Sequence, residues 1–337
     1  MKQGGSTGWG FIGASTIARE HMVAAVRAQK GNEVVAVASG DKQRANAFAE
    51  ELSIAKGYGD VASLLADPMV DAVYISSTND QHRDQALAAI AAGKHVLCEK
   101  PLALSLADAR QMVDAARQAC VVFATNHHLR NAATLRKVRE LVRAGAIGKP
   151  LFARVHHAIF LRPQVQGWRV KSAQGGGGVI LDIGVHAADI LCFALDAEPV
   201  EAIGMRHEGF LSHNGVEDGV MAVVRMSNGV LAQIHAAYTV RHAQTSFEIH
   251  GENGSVTARD SLTVRAAGDV MLRDAEGERL IAVEHEPLYA VGVRRFCAAL
   301  KGDDGPAATG DDGVRSLQTA LAIARACSKG VLVRIAA

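Results

Sequence analysis

Five short apolar runs, at residues 8–12, 34–38, 72–76, 94–98 and 121–125, alternate with helical patterns over the first 126 residues. Runs this short and continuous read as strands of a parallel sheet that is covered on both faces. Strands that alternate with helices, joined by right-handed crossovers, leave a doubly wound α/β sheet as the expected fold. Ligands of such sheets bind beyond the carboxyl ends of the strands. Here each run breaks off into small, polar or charged residues: Gly13-Ala14-Ser15, Ser39-Gly40, Ser77-Thr78-Asn79, Glu99-Lys100 and Asn126.

The fourth run is the one around which the others are arranged. It ends abruptly in Glu99, Lys100 and Pro101. Proline cannot continue the hydrogen-bonded ladder, so the chain turns away and leaves a base at a strand end, where a lysine loses part of its solvation.

The first run enters Gly10-Phe11-Ile12-Gly13-Ala14-Ser15-Thr16-Ile17-Ala18 and then a helix over 19–29. Strand, glycine turn and helix are the order of a dinucleotide fingerprint, with Gly13 at the tight turn and Ala18 where helix and strand pack closely. Ser15 replaces the second glycine; its hydroxyl is expected to donate to a phosphate at the helix N-terminus. NAD sites keep an acid after the second strand, to read the ribose hydroxyls. This chain has Ser39 and Gly40 there, with Arg44 one helical turn on, which favours a 2′-phosphate and hence NADP(H). Asp41 is the opposing observation, an acid able to swing back. Ser77, Thr78, Asn79 and His82 suit hydrogen bonds to ribose, while Asn79 also reads as a helix cap.

After a helix over 132–144, the turn Gly148-Lys149-Pro150 marks a change of pattern. An alternating strand over 151–160, a loop with Gly167-Trp168-Arg169, and Gly175 to Gly178 lead into a helix over 179–195. Asp182 and His186 stand four apart on one face of that helix, with Asp189 a turn further. Residues 200–283 read as a meander of five or six antiparallel strands with turns at Asn228-Gly229, Asn253-Gly254 and Glu276-Gly277. Helices over 288–301 and 311–328 and a strand over 331–335 complete the chain. The expected domains are 1–126, a Rossmann dinucleotide-binding domain, and 127–337, an α+β substrate domain with an open-faced antiparallel sheet. The terminal helix is long enough to pack back on the first.

With 49% hydrophobic and 21% charged residues, the chain can bury two cores. A formal charge of +1 without a basic run gives no footprint for nucleic acid. The five cysteines are scattered without a C-x-x-C pair, so neither a disulfide framework nor a zinc site is expected. No window is apolar for 18 residues, and Met1 to Thr7 carries no apolar core; no membrane partner and a cytoplasmic location are expected.

Four segments together carry a family likeness: Gly10-x-x-Gly13-x-Ser15-x-x-Ala18, Thr78-Asn79-x-x-His82, Glu99-Lys100-Pro101, and Gly176-Gly177-Gly178 followed by Asp182, Gly184, His186 and Asp189. The chain resembles the Gfo/Idh/MocA family of sugar and polyol oxidoreductases over nearly its whole length. The runs Ala14 to Glu20, Thr125 to Asn131, Gly167 to Arg169 and Gly215 to Met221 resemble a branch that reduces a sugar-derived ketone with NADPH by hydride transfer. The resemblance implies that Lys100, Asp182 and His186 surround the substrate carbonyl. It also implies cofactor contacts at Ala14, Ser15, Thr16, Ile17, Ser39, Gly40, Arg44, Ser77, Thr78, Asn79, His82, Glu99, Lys100, Asn126, Trp168, Arg169 and Tyr289, beside Gly13. Within the family a homodimer through the open sheet face is common, and a monomer is equally compatible. The alternatives are a dehydrogenase of another sugar or inositol and a dinucleotide sensor without chemistry. Metal-dependent hydrolysis through His127, His128, His156, His157 and His186 lacks a recognised ligand spacing.

Overall fold

A computed structural model describes residues 6–336, so the reading of Met1 to Gly5 lies outside the described residues. The chain divides into two units. One comprises residues up to His128 together with Tyr289–Val314; the other comprises Leu129–Leu288 and the residues from Arg315 onward. The boundary falls two residues later than expected. It is the segment Tyr289–Val314, with the helix Leu288–Lys301 and the first turn of the helix Gly310–Lys329, that groups with the first unit.

In the first unit, β1 (Thr7–Ile12), β2 (Asn32–Ala38), β3 (Lys56–Tyr58), β4 (Ala72–Ile75), β5 (His95–Cys98) and β6 (Phe123–Thr125) form a parallel sheet in the order β3-β2-β1-β4-β5-β6. The order reverses on either side of β1, which places a topological switch point at the end of that strand. β1 lies between β2 and β4 with Phe11 paired to Val37 and Tyr74. Trp9, Phe11 and Tyr74 are fully buried, and Phe296 of the returning helix packs on Trp9 at 5.2 Å between rings. This register brings the broken-off ends of all the strands to one rim.

In the second unit, β7 (Pro150–Ala158), β8 (Pro199–His207), β9 (Gly219–Met226), β10 (Leu231–Ala237), β11 (Ser246–Gly251), β12 (Gly254–Arg259), β13 (Asp269–Asp274), β14 (Gly277–Ile281) and β15 (Val333–Arg334) form one sheet ordered β14-β13-β12-β11-β7-β10-β9-β8-β15. The expectation of an antiparallel sheet needs correction at one place: β7 and β10 run parallel, because β7 enters from outside the meander and is inserted between β11 and β10. The sheet has one covered face. Val220, Ala222, Val224 and Met226 of β9 are buried, while the alternating Met221 and Val223 are exposed. The helix Val185–Leu195 is buried along its whole length on the covered side. Side chains on the other side, among them Ile203 and Met205, remain exposed, as an open-faced sheet requires.

Candidate active site

The rim of the first sheet is built from glycine geometry upward. Gly13 has φ of +106°, and a Cβ there would lie 2.9 Å from the main chain of Ser76 and Ser77. Glycine is therefore required both by the turn and by the close approach of the β1 and β4 ends. The Ser15 hydroxyl does not stand free for a phosphate as expected. It accepts the Ala18 N–H at 3.1 Å and is hydrogen-bonded to the Ser76 hydroxyl at 2.8 Å, so it closes the first helical turn and ties it to β4. Ala14 to Ile17 lie along this turn, which continues into a wide π-helical turn at Ala18–Met22.

Beyond β2, Asp41 does not swing back toward Ser39. It caps the helix Lys42–Glu51, accepting from the N–H groups of Gln43 at 2.8 Å and Arg44 at 3.3 Å. Arg44 reaches the other way, its Nε donating to the Ser39 hydroxyl at 2.7 Å. The guanidinium is exposed at the strand tip, next to the exposed Gly40, and the carboxylate is held in the cap.

After β4, Asn79 is buried in a 3-10 turn, so it does not cap the helix His82–Ala91. The Ser77 hydroxyl donates to Gln85 at 2.6 Å, and Thr78 accepts from Gln81 at 3.0 Å. His82 is fully buried, its Nδ1 2.8 Å from the Pro101 carbonyl and its Nε2 3.3 Å from the Ser77 carbonyl. Its ring is thus enclosed between two turns of the rim; burial pulls its pKa down, against the two carbonyls.

The Glu99 carboxylate turns inward, accepting from the Tyr74 hydroxyl at 2.7 Å and the Asn126 amide at 2.6 Å. Desolvation lifts the Glu99 carboxyl above the usual carboxylate range, opposed by the Tyr74 bond, the Lys100 charge and Asn126. The Lys100–Pro101 peptide is cis. Tyr289 completes this rim. Its ring is stacked on His21 at 4.8 Å and on His128 at 5.1 Å, and its buried hydroxyl has no hydrogen-bond partner among the described residues. The cradle at Gly13 and this orphaned hydroxyl fit a dinucleotide along the rim.

In the second unit, Asp182 lies in a π-helical turn at Ile180–Gly184 that runs directly into the helix Val185–Leu195 carrying His186. The fully buried Tyr238, just past β10, donates to Asp182 Oδ2 at 2.8 Å, and Arg169 Nε lies 3.5 Å from the same oxygen. Arg169 also lies over the Trp168 ring at 4.7 Å. His186 is buried, and Asp189 pairs with Arg130 instead, at 2.7 Å. Asp182 and His186 are therefore brought onto one continuous helical segment, as expected, while Asp189 serves a buried ion pair. Sequence reasoning misses Tyr74 and Tyr238. Each lies in or beside an apolar strand, and only its long-range partner shows its use.

Among the described residues there is no group of three or more His, Cys, Asp or Glu that could hold a metal ion. Nor is any helix of these residues long and apolar enough to cross a membrane.

Residues 7–127 match the oxidoreductase family with an NAD-binding Rossmann fold, and residues 135–257 match the Gfo/Idh/MocA C-terminal domain. The chain belongs to the Gfo/Idh/MocA oxidoreductase family. It is 51% identical over 327 residues to the 1,5-anhydro-D-fructose reductase of Ensifer adhaerens, covering 97% of this chain and 98% of that protein. A 3-ketoreductase from Actinomadura kijaniata, in complex with TDP-benzene and NADP, is similar in structure with a TM-score of 0.81 and 26% identity, covering 95% of this chain and 97% of that one. An oxidoreductase from Agrobacterium radiobacter in complex with NAD+, L-tartaric acid and magnesium shares the fold, with a TM-score of 0.87 and 21% identity, covering 98% of each chain.

Proposed function

We propose that the protein reduces a sugar-derived ketone with NADPH, and that the ketone is 1,5-anhydro-D-fructose, giving 1,5-anhydro-D-mannitol. The observation that carries the cofactor choice is the tip of β2: Asp41 is committed to the helix cap, while Arg44 and Ser39 offer a guanidinium and a hydroxyl where an NAD site presents a carboxylate. The substrate rests on the 51% identity to the Ensifer adhaerens reductase, which extends over both units.

The cofactor, when bound, supplies the hydride. The chain's own part is to meet the negative charge that develops on the carbonyl oxygen and to deliver a proton to it. Lys100, at the end of β5, donates a hydrogen bond to that oxygen, a contact that strengthens as the charge grows. His186, on the helical segment that follows Asp182, gives the proton as general acid. Asp182, held by Tyr238 and Arg169, accepts from a substrate hydroxyl or orients the imidazole. The rim of the first unit receives the dinucleotide at Gly13 to Ile17, Ser39, Gly40, Arg44 and the turns after β4, β5 and β6.

NADPH deuterated at the transferable position of the nicotinamide tests the reaction. Mass spectrometry of the product should show one deuterium bound to carbon at the former carbonyl. A reduced product without deuterium would overturn hydride transfer, and no product at all would overturn the substrate.

A further inference from the structure

The run Gly215 to Met221 has no place in the chemistry above, yet it meets the segment that carries Asp182 and His186. Glu217 accepts from the first turn of that segment twice. Its main-chain carbonyl takes the Val179 N–H at 3.1 Å, and its Oε1 takes the Ile180 N–H at 3.0 Å. Gly178, immediately before, has φ of +109°, and a Cβ there would lie 2.6 Å from the Glu217 carboxylate carbon. The carboxylate is thus seated where any side chain at 178 would stand. On the other side stands Tyr238. Its hydroxyl approaches the Gly178 carbonyl at 3.3 Å as well as Asp182, and its N–H donates to the Asp218 carbonyl at 2.8 Å. Residues 217 and 218 therefore brace both the start of the helix and the tyrosine that holds Asp182.

The turn so braced is the π-helical one, Ile180–Gly184. Turns of this kind are rare and are frequently found at functional sites. Relaxing it to an α turn would alter the angle between Asp182, inside it, and His186, one turn beyond. The Ile180 N–H is one of the donors that a helix start leaves without an intrahelical partner, and an external acceptor on it pins the entry to this turn.

We propose that Glu217 is a positioning residue: by accepting from Ile180 at the start of the π-helical turn, it fixes Asp182 relative to His186 for the reaction. The role requires an acceptor oxygen rather than a charge. Burial raises the Glu217 carboxyl above its ordinary range, against the Ile180 and Glu217 N–H groups and the Arg206 charge, with Glu208 reinforcing the rise. This inference rests on the assignment of Asp182 and His186 to catalysis.

The test compares Glu217→Ala, Glu217→Gln and His186→Ala in kcat and KM with the anhydrofructose ketone as substrate, and in the Kd for NADPH. Glu217→Ala should lower kcat about tenfold or more with the NADPH Kd changed less than about twofold, and Glu217→Gln, which keeps Oε1, should restore kcat to within about threefold of the parent. Should Glu217→Ala not fold, Glu217→Asp, which withdraws the acceptor by one methylene, is read in its place with the same expectation. Parental kcat in Glu217→Ala beside an inactive His186→Ala would overturn the positioning role alone, as would a Glu217→Gln as impaired as Glu217→Ala. Parental kcat in His186→Ala would instead overturn the catalytic reading on which the inference stands.

Discussion

The Tyr238 hydroxyl donates to Asp182 Oδ2 at 2.8 Å, from a residue that is fully buried. Burial raises the phenol pKa well above its ordinary value, and the Asp182 charge and hydrogen bond raise it further, so the group remains a donor at any working pH. A carboxylate held by such a donor keeps its remaining lone pairs directed away from it. Tyr238→Phe removes the donor and little volume. A hydrogen bond to a charged group is worth about 1.5–3 kcal/mol, so kcat/KM should fall roughly 10–100-fold while the NADPH Kd stays as in the parent. Steady-state kinetics with a parallel binding titration would check this, and a parental kcat/KM would remove Tyr238 from the account.

Lys100 stands at the end of β5 and is assigned the developing oxyanion. Lys100→Ala should lower turnover by about 10²–10⁴-fold. NADPH binding, measured by fluorescence titration, should change far less. Loss of binding in proportion to turnover would make Lys100 a cofactor ligand instead.

Arg44 is exposed at the tip of β2 and donates to Ser39 at 2.7 Å. If it meets a 2′-phosphate, Arg44→Ala should raise the KM for NADPH about tenfold or more, the scale of a lost charge-assisted hydrogen bond, and leave the NADH constants unchanged. Equal changes with both cofactors would show that Arg44 acts on the local structure and not on the phosphate.

These sites differ in how far the sequence reveals them. The strand ends at Gly13, Ser39, Ser77, Glu99 and Asn126 are visible because apolar runs, glycine turns and a proline mark where a buried strand stops. β3 is not, since Lys56-Gly57-Tyr58 has neither length nor apolar character. The parallel pairing of β7 with β10 joins residues about 80 positions apart, such as His156 with His235, and no local pattern encodes it. The Asp182 and His186 pair can be read from its spacing after the glycines. Its supports, Glu217 and Tyr238, are 37 and 56 residues distant from the groups they bond. Side-chain choice at a single position is also beyond local reading. Asp41 turns to its own helix cap, where adjacent N–H groups satisfy it, and Glu99 accepts from Tyr74 and Asn126, 25 and 27 residues away, which no local pattern shows.

His82 provides a pH test of the rim. Its folded pKa is lowered, with burial the largest cause, so the folded protein binds a proton there less readily than the unfolded chain. The stability contributed by the neutral ring is fully present above the unfolded value of about 6.5 and is lost as pH falls through the folded value. This ring therefore contributes a decline in the thermal unfolding midpoint from pH 7 to pH 5, opposed by the raised carboxyls of Glu99 and Glu217. His82→Gln should decline less over the same window; His95, His156 and His235, also lowered by burial, retain part of the slope. An identical slope in the variant would contradict the burial of a neutral His82.

The central claim is NADPH-dependent reduction of a sugar ketone, and the initial rate of NADPH oxidation with 1,5-anhydro-D-fructose, against NADH at the same concentration, tests it most directly. The account predicts rapid consumption of NADPH and little of NADH. Consumption of neither, by protein that binds NADPH tightly, would contradict the assigned substrate, and a faster rate with NADH would contradict the reading of Ser39 and Arg44.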